Sequence, residues 1–384
     1  MKTPAIVAYN TSMPNSLLVR TDCVYFKGEK PCKFKRICDD CPQFKAFGPK
    51  ILVIKCRAQG DVLRTTPVLT GLRRKYPDAF ITWVVDEESL DLLRDIPLID
   101  RLLPLNVETV LALQGQRFDA VYSLDKDPGL VALAGLVAAP LKFGFGLNEH
   151  GNLMAFTPAA DYSMRLGVDD ELKFKVNQKS YQRMIFEAVE LDYRDDDYVF
   201  VLPEEARAKA AAFFQDRRVP AGRPNIGLNT GAGAKFTPKQ WPEAHFLALI
   251  KLLMQEMKAN IFLLGGKREQ ALNRRLAGGA ATFVFDTGTD NSLLEFAGFL
   301  EKMDAVVCSD TLAMHIALAL KRKTVVLFGP TCPQEIETYG RGVKLFAGAG
   351  CAPCYKQTCP DPVCMESITP AQVLGALRGL LGTK

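Results

Sequence analysis

No stretch of this 384-residue chain offers the roughly 18 consecutive apolar residues that a membrane-spanning helix needs. The amino terminus, MKTPAIVAYNTSMPNSLL, also lacks the long apolar centre of a secretory signal. The expected location is therefore the cytoplasm, with peripheral contact at the inner membrane as an extension of that expectation. A strong charge bias is missing too: the net charge is +5, and much of the excess lies between Lys27 and Lys50. Such a run reads first as a solvated face and second as a patch for anionic ligands or headgroups, and no nucleic-acid partner is implied. With 48% hydrophobic and 24% charged residues the composition excludes a disordered or fibrous protein. The length exceeds what one hydrophobic core usually supports, so two domains are expected.

Cysteine is abundant, and its distribution matters more than its count of 11. Cys56, Cys308 and Cys332 stand alone and read as small buried hydrophobes. The other eight form two groups, Cys23, Cys32, Cys38 and Cys41, then Cys351, Cys354, Cys359 and Cys364, each with a Cys-x-x-Cys pair. In a reducing compartment that spacing suits a tetrahedral metal ion better than a disulfide. Structural zinc is the expected occupant, with iron or an iron-sulfur centre as alternatives and free thiols or disulfides as the competing states. Spacing alone does not say whether each quartet holds its own ion or the two meet.

Strand and helix signals alternate in two blocks. In the first, apolar strands are expected at 51–56, 80–85, 101–105 and 119–124, with helical stretches Val62–Lys75 and Glu87–Arg94 between them, and the Gly-Phe-Gly of 142–146 closing the sheet. In the second, strands are expected at 225–229, 260–264, 282–285, 304–308 and 323–328, and helices near Glu243–Met257, Glu269–Leu276, Ser292–Leu300 and Thr311–Leu320. Such alternation implies right-handed βαβ units and parallel sheets. The fold class is thus α/β, two doubly wound Rossmann-like domains facing each other across a cleft. The boundaries are 1–49 for a cysteine-containing extension, 50–218 for the first domain and 219–384 for the second, with Pro220-Ala221-Gly222 at the junction. The cleft between the carboxyl ends of the two sheets is the expected site.

Four short segments point into that cleft. ILVIKCRAQGDVLRTTPVL, from Ile51, runs from a strand through a Gly-Asp turn into a helix and places Asp61 at the carboxyl end of the strand. Asn229-Thr230-Gly231-Ala232-Gly233-Ala234-Lys235 is a small-residue loop leading to Lys239-Gln240-Trp241-Pro242. Small residues admit close backbone approach, helix amides favour phosphate oxygens, and lysine adds a point charge. The loop is neither a Walker A nor a dinucleotide fingerprint. Ser309-Asp310-Thr311-Leu312-Ala313-Met314-His315 again goes from strand to helix, and Phe328-Gly329-Pro330-Thr331 ends a strand at the same rim. Taken singly, Asp61, Asp310 or Thr311 reads equally as a helix cap, and His315 as a core histidine.

Together, ILVIKCRAQGDVLRTTPVL, NTGAGAKFTPKQWP, LLGGKREQ, SDTLAMHIALAL and FGPT resemble, in that order and from about Lys50 onward, the ADP-heptose heptosyltransferases of glycosyltransferase family 9, in a branch with added cysteine clusters near both ends. The resemblance implies the GT-B architecture, with an acceptor-side first domain and a donor-binding second domain. It implies Asp61 as the catalytic base and Lys239 as the contact to the donor diphosphate. Thr230 and Gly231 fall in the adjoining loop, Glu269 near the ribose, and Asp310, Thr311 and His315 in the motif that meets sugar and phosphate. Leu312 departs from the glycine usual there, which leaves the transferred sugar open. The implied reaction is inverting transfer of a heptose or related sugar from an ADP-sugar to an acceptor hydroxyl, on the lipopolysaccharide inner core, another glycan or lipid-linked sugar, or a protein. No cofactor is implied for the chemistry, since no Asp-x-Asp metal site stands near these motifs. The alternatives are a non-catalytic nucleotide-sugar binder on the same fold, and a metal-binding or redox protein centred on the cysteines. A homo-oligomer is compatible with all three.

Overall fold

The computed structural model describes residues 19–233, 236–278 and 282–382. Ala234 and Lys235 of the small-residue loop lie outside the described residues, as does most of the amino-terminal stretch read above for a signal.

The first sheet contains β1 (Lys50–Ile54), β2 (Phe80–Val85), β3 (Arg101–Pro104), β4 (Ala120–Ser123), β5 (Leu141–Leu147) and β6 (Leu153–Ala155), in the order β3-β2-β1-β4-β5-β6. The second contains β7 (Asn225–Asn229), β8 (Asn260–Leu264), β9 (Val284–Asp286), β10 (Ala305–Ser309), β11 (Lys323–Phe328) and β12 (Gly342–Phe346), in the order β12-β11-β10-β7-β8-β9. All pairings are parallel except β5 with β6. Each sheet thus repeats the doubly wound order, and its direction of winding reverses between β1 and β4 and between β7 and β10, where a crevice opens at the carboxyl ends. The central strands are buried along nearly their whole length, which is why they read as continuous apolar runs.

Three expectations change in detail. Val62–Lys75 is not one helix: Pro67 has no N–H to donate, and helices Gln59–Thr65 and Val68–Lys75 meet there. The first begins earlier than expected, so Gly60 and Asp61 lie in its first turn; the reversal falls at Ala58, held at φ 60°. Gly-Phe-Gly does not close the first sheet, because β6 adds an antiparallel edge beyond β5. Gly144 of that segment sits at φ 85°, and a Cβ there would lie 2.0 Å from the Ser123 carbonyl oxygen.

The helix Glu204–Asp216, just before the junction, packs on helix Leu293–Glu301 of the second block. Gly298 allows the crossing, since a Cβ there would meet the Ala206 carbonyl oxygen at 2.3 Å, and Arg207 pairs with both carboxylate oxygens of Glu301 at 2.8 and 2.9 Å. Among the described residues no helix is long and apolar enough to cross a membrane. Residues 19–49 form almost no regular structure beyond a bridge between Cys23 and Ala46. They are fastened to the amino edge of the first sheet by Phe47 against Phe80, 4.8 Å between centroids, and by Gly48, which has room for no side chain against the Asp78 carbonyl.

The loop leaving β1 is fixed by a buried ion pair. Lys55 and Asp125, 3% and 6% exposed, are bonded to each other, and Asp125 also accepts from the amides of Cys56 at 2.5 Å and Arg57 at 3.2 Å. Trp83 Nε1 donates to the Lys55 carbonyl at 3.0 Å. Removing one partner strands a buried charge, which typically costs about 3–5 kcal/mol. Lys55→Ala is therefore expected to lower unfolding free energy by that order in urea titration, whereas an effect below about 1 kcal/mol would mean that Asp125 finds water or another cation.

Candidate active site

The loops that follow β1, β7, β10 and β11 converge on a cleft of ≈ 230 Å³. Asp61 and Arg64 reach it from the first block, and Lys239, Asp310, Thr311, Leu312 and His315 from the second. The two sides touch through Gly60: a Cβ there would lie 2.9 Å from His315 Cδ2 and 3.8 Å from Leu312 Cα. Helix Gln59–Thr65 can rest on helix Leu312–Ala319 only because residue 60 has no side chain.

Charge in this cleft is paired. Asp61 Oδ1 lies 2.9 Å from Arg64 Nη2, and the Arg64 guanidinium covers the Tyr181 ring at 3.8 Å. Burial works to raise the Asp61 carboxyl, but Arg64, Lys55 and His315 outweigh it and hold it below the ordinary carboxylate range. Lys239 Nζ donates to the Asp310 carbonyl at 2.9 Å and to its carboxylate at 3.2 Å. Asp310 likewise titrates low: burial opposes ionisation, and Lys239, His315 and Arg64 overcome it. His315 is only 4% exposed, and burial, reinforced by Arg64, pushes its imidazole down to about 4. Its Nδ1 is hydrogen-bonded with the Tyr198 hydroxyl at 2.8 Å. At neutral pH the ring is uncharged.

A second cleft of ≈ 550 Å³ continues from the first, and Thr311 and Leu312 line both. Gly231, Gly233, Gly265, Gly266 and Glu269 form its wall. The Glu269 carboxylate accepts from Gly266 N at 2.9 Å and lies where a Cβ on Gly231 would be, 2.8 Å from its Cδ. Thr230 is the exception among the anticipated residues. Its hydroxyl donates inward, to Leu264 O at 3.1 Å or Asn273 Oδ1 at 2.6 Å, and the residue borders neither cleft. The Lys-x-Trp-Pro segment divides in the same way: Lys239 lines the cleft while Trp241 is fully buried, its Nε1 donating to Ile368 O at 2.9 Å.

Other members of the cleft were not anticipated. Arg64 follows Asp61 by three residues, the spacing that puts two side chains on one helix face, and that spacing was the available signal. Glu335 and Tyr355 gave none, since Glu335 ends a single 3-10 turn, Pro333–Glu335, and Tyr355 lies in an irregular segment; the Tyr355 hydroxyl donates to Glu335 Oε2 at 3.0 Å. Asp125-Lys126-Asp127 is an Asp-x-Asp triplet that folds beside the Gly-Asp segment, contrary to the expectation that none stands nearby. It presents no free carboxylate pair, because Asp125 is bound to Lys55 while Asp127 caps the helix Pro128–Leu136 and lies 3.7 Å from Arg57. A larger cavity, ≈ 990 Å³, lies at the amino ends of β2 and β3, the wrong end of the sheet for this chemistry.

Of the lone cysteines, Cys56, Cys308 and Cys332 are all buried. The first quartet lines, among other residues, a cavity of ≈ 300 Å³ in residues 19–49. The second lies in a segment that reaches the active-site cleft through Tyr355: Cys354 N donates to Pro330 O at 2.9 Å, and Gln357 O accepts from Thr237 N at 3.2 Å and from its hydroxyl at 3.1 Å. Among the described residues no three Cys, His, Asp or Glu side chains gather closely enough to hold one metal ion.

The sequence matches the profile of Glycosyltransferase family 9 (heptosyltransferase) over residues 109–364. Lipopolysaccharide heptosyltransferase 1 of Pseudomonas aeruginosa is 26% identical, covering 86% of this chain and 98% of its own. Among solved structures, a family 9 glycosyl transferase of Veillonella parvula superposes with a TM-score of 0.69 at 19% identity, over 87% of this chain and 97% of the other. ADP-heptose lipopolysaccharide heptosyltransferase II of Escherichia coli gives 0.62 at 21%, over 86% and 98%. These likenesses agree with the two facing doubly wound sheets of the GT-B fold, and the family match covers β4 to β6 of the first and all of the second: the chain is a glycosyltransferase and belongs to glycosyltransferase family 9, the heptosyltransferase family.

Proposed function

We propose that the enzyme transfers a heptose, with inversion, from ADP-heptose to a sugar hydroxyl of the lipopolysaccharide inner core. The observation that carries this reading is that Asp61 and Lys239, from opposite sheets, line one cleft that opens into a second, glycine-walled one. The heptosyltransferase relatives support the choice of donor and acceptor. Because the acceptor would be lipid-linked, the enzyme works at the cytoplasmic face of the inner membrane in this proposal.

The wider cleft suits the nucleoside, with Glu269 toward the ribose hydroxyls, and Gly231 lets the ligand approach the backbone. The diphosphate then crosses Thr311 and Leu312, where the first-turn amides of helix Leu312–Ala319 favour anions. Lys239 reaches the same point. The sugar enters the narrower cleft between Asp61 and the uncharged His315. The acceptor oxygen attacks the anomeric carbon and Asp61 takes its proton, while the bond from that carbon to the diphosphate oxygen breaks and ADP leaves with the electron pair. General-base assistance of this kind contributes roughly 10² to 10⁴ in rate. Lys239 and the amides act where charge grows on the departing phosphate, so their contribution is largest in the transition state.

Acceptor-dependent release of ADP from ADP-heptose tests the whole reading; hydrolysis that ignores the acceptor, or no turnover with any inner-core acceptor, would overturn it. Asp61→Ala is expected to lower turnover by about 10²- to 10⁴-fold while calorimetric ADP affinity holds. Lys239→Ala removes a charge-assisted contact of about 1.5–3 kcal/mol, so ADP should bind at least tenfold more weakly; equal affinity would remove the phosphate role. His315 supplies a pH signature. Its folded pKa, about 4, lies below the unfolded value of 6.5, so the unfolded chain binds the extra proton between them. The resulting stability is complete above pH 6.5 and lost as pH falls toward 4. Urea unfolding from pH 7.5 to 4.5 should show this decline in the native enzyme and a shallower one in His315→Gln.

A further inference from the structure

We infer that Cys23, Cys32, Cys38 and Cys41 hold a four-iron, four-sulfide cluster that orders the amino-terminal extension. All four cysteines line one cavity of ≈ 300 Å³, about ten times the roughly 30 Å³ share of one water. A zinc ion bonded at ~2.3 Å would instead hold the four sulfurs about 3.8 Å from one another. Among the described residues no such gathering of three ligands exists. A cubane reconciles the two observations, because layers of iron and inorganic sulfide separate its cysteine sulfurs.

The surroundings suit such a core. Two tight turns carry the ligands: Lys35 N donates to Cys32 O at 2.9 Å and Cys41 N to Cys38 O at 3.3 Å, with Lys35 and Asp40 at φ 51° and 46°. Holding non-glycine residues there costs free energy that a bound core would offset. Phe34 and Phe44 form part of the wall, with Arg20 stacked 3.7 Å over Phe44. Four thiolates around a [4Fe–4S] core leave net negative charge, and Lys30 and Arg36 also line the cavity. Residues 19–49 contain no helix and pair only through the Cys23–Ala46 bridge, so they lack an apolar core of their own. The cluster takes that place, and its part is structural. It lies with the amino edge of the first sheet, remote from the carboxyl-end cleft where the transfer is proposed.

The test uses the full chain purified under argon or reconstituted with equal amounts of ferrous and ferric iron and sulfide. About four iron and four acid-labile sulfide per chain are expected, in brown protein that bleaches with dithionite. Cys38→Ser combined with Cys41→Ser should lose both, and Cys354→Ser combined with Cys359→Ser should keep both. One zinc per chain at the first quartet, a colourless protein after reconstitution, or loss of iron only in the second variant would overturn the inference. If the first variant is insoluble, alkylation of the native chain decides. Cys23, Cys32, Cys38 and Cys41 should resist iodoacetamide in the brown protein and react once the iron is removed, and their labelling in the brown protein would equally overturn it.

Discussion

The missing side chain of Gly60 sets the distance between the two halves of the site. With any larger residue the helix Gln59–Thr65 would meet the His315 ring, since even a Cβ would come within 2.9 Å of it. The next residue in the chain is Asp61, so this one contact brings the first block's carboxylate to the segment that follows β10. Burial of His315 has the same origin. Pressed under Gly60 and bonded to Tyr198, the ring is kept from solvent and remains neutral, so it fills the floor of the cleft without adding a charge there.

The placement of Asp61 also depends on how the chain leaves β1. Strand β1 ends at Ile54, and within five residues the backbone turns through Ala58 at φ 60° into a helix. A non-glycine residue in that region is held by its surroundings rather than by its own preference. Those surroundings are the carboxylate of Asp125, which binds the amides of Cys56 and Arg57, and Lys55, which neutralises it. Asp125 follows β4, the neighbour of β1 at the reversal of strand order. The sheet topology therefore supplies the clamp as well as the crevice.

Much of the architecture was legible because the central strands are buried on both faces and leave unmistakable apolar runs. Two of the four edge strands left no such trace: β6 is three residues long and half-buried, and β12 alternates half-buried with exposed positions after Tyr339-Gly340-Arg341. Local spacing placed Asp61, Asp310 and His315 near strand ends, yet no spacing could say that Thr230 turns its hydroxyl inward to Asn273 while Gly231 faces the wider cleft. The family resemblance, not periodicity, connected the first block's carboxylate with the second block's lysine. Glu335 and Tyr355 stayed invisible because they reach the cleft from loops whose course depends on tertiary packing.

The narrow cleft carries no excess positive charge, so a diphosphate at its border must compete for a cation that is already paired. It holds three carboxylates, Asp61, Asp310 and Glu335, against two cations, Arg64 and Lys239. Both cations are largely withdrawn from water, their side chains 15% and 13% exposed, so leaving either unpaired would be expensive. Asp61 and Asp310 keep them satisfied and oriented. A neutral sugar offers nothing to exchange for these pairs, whereas a diphosphate brings enough negative charge to compete with Asp310 for Lys239. In the proposed reaction the donor's own phosphates therefore open the site, and the carboxylate of Asp61, still beside Arg64, is left facing the sugar as the anion that accepts the acceptor's proton.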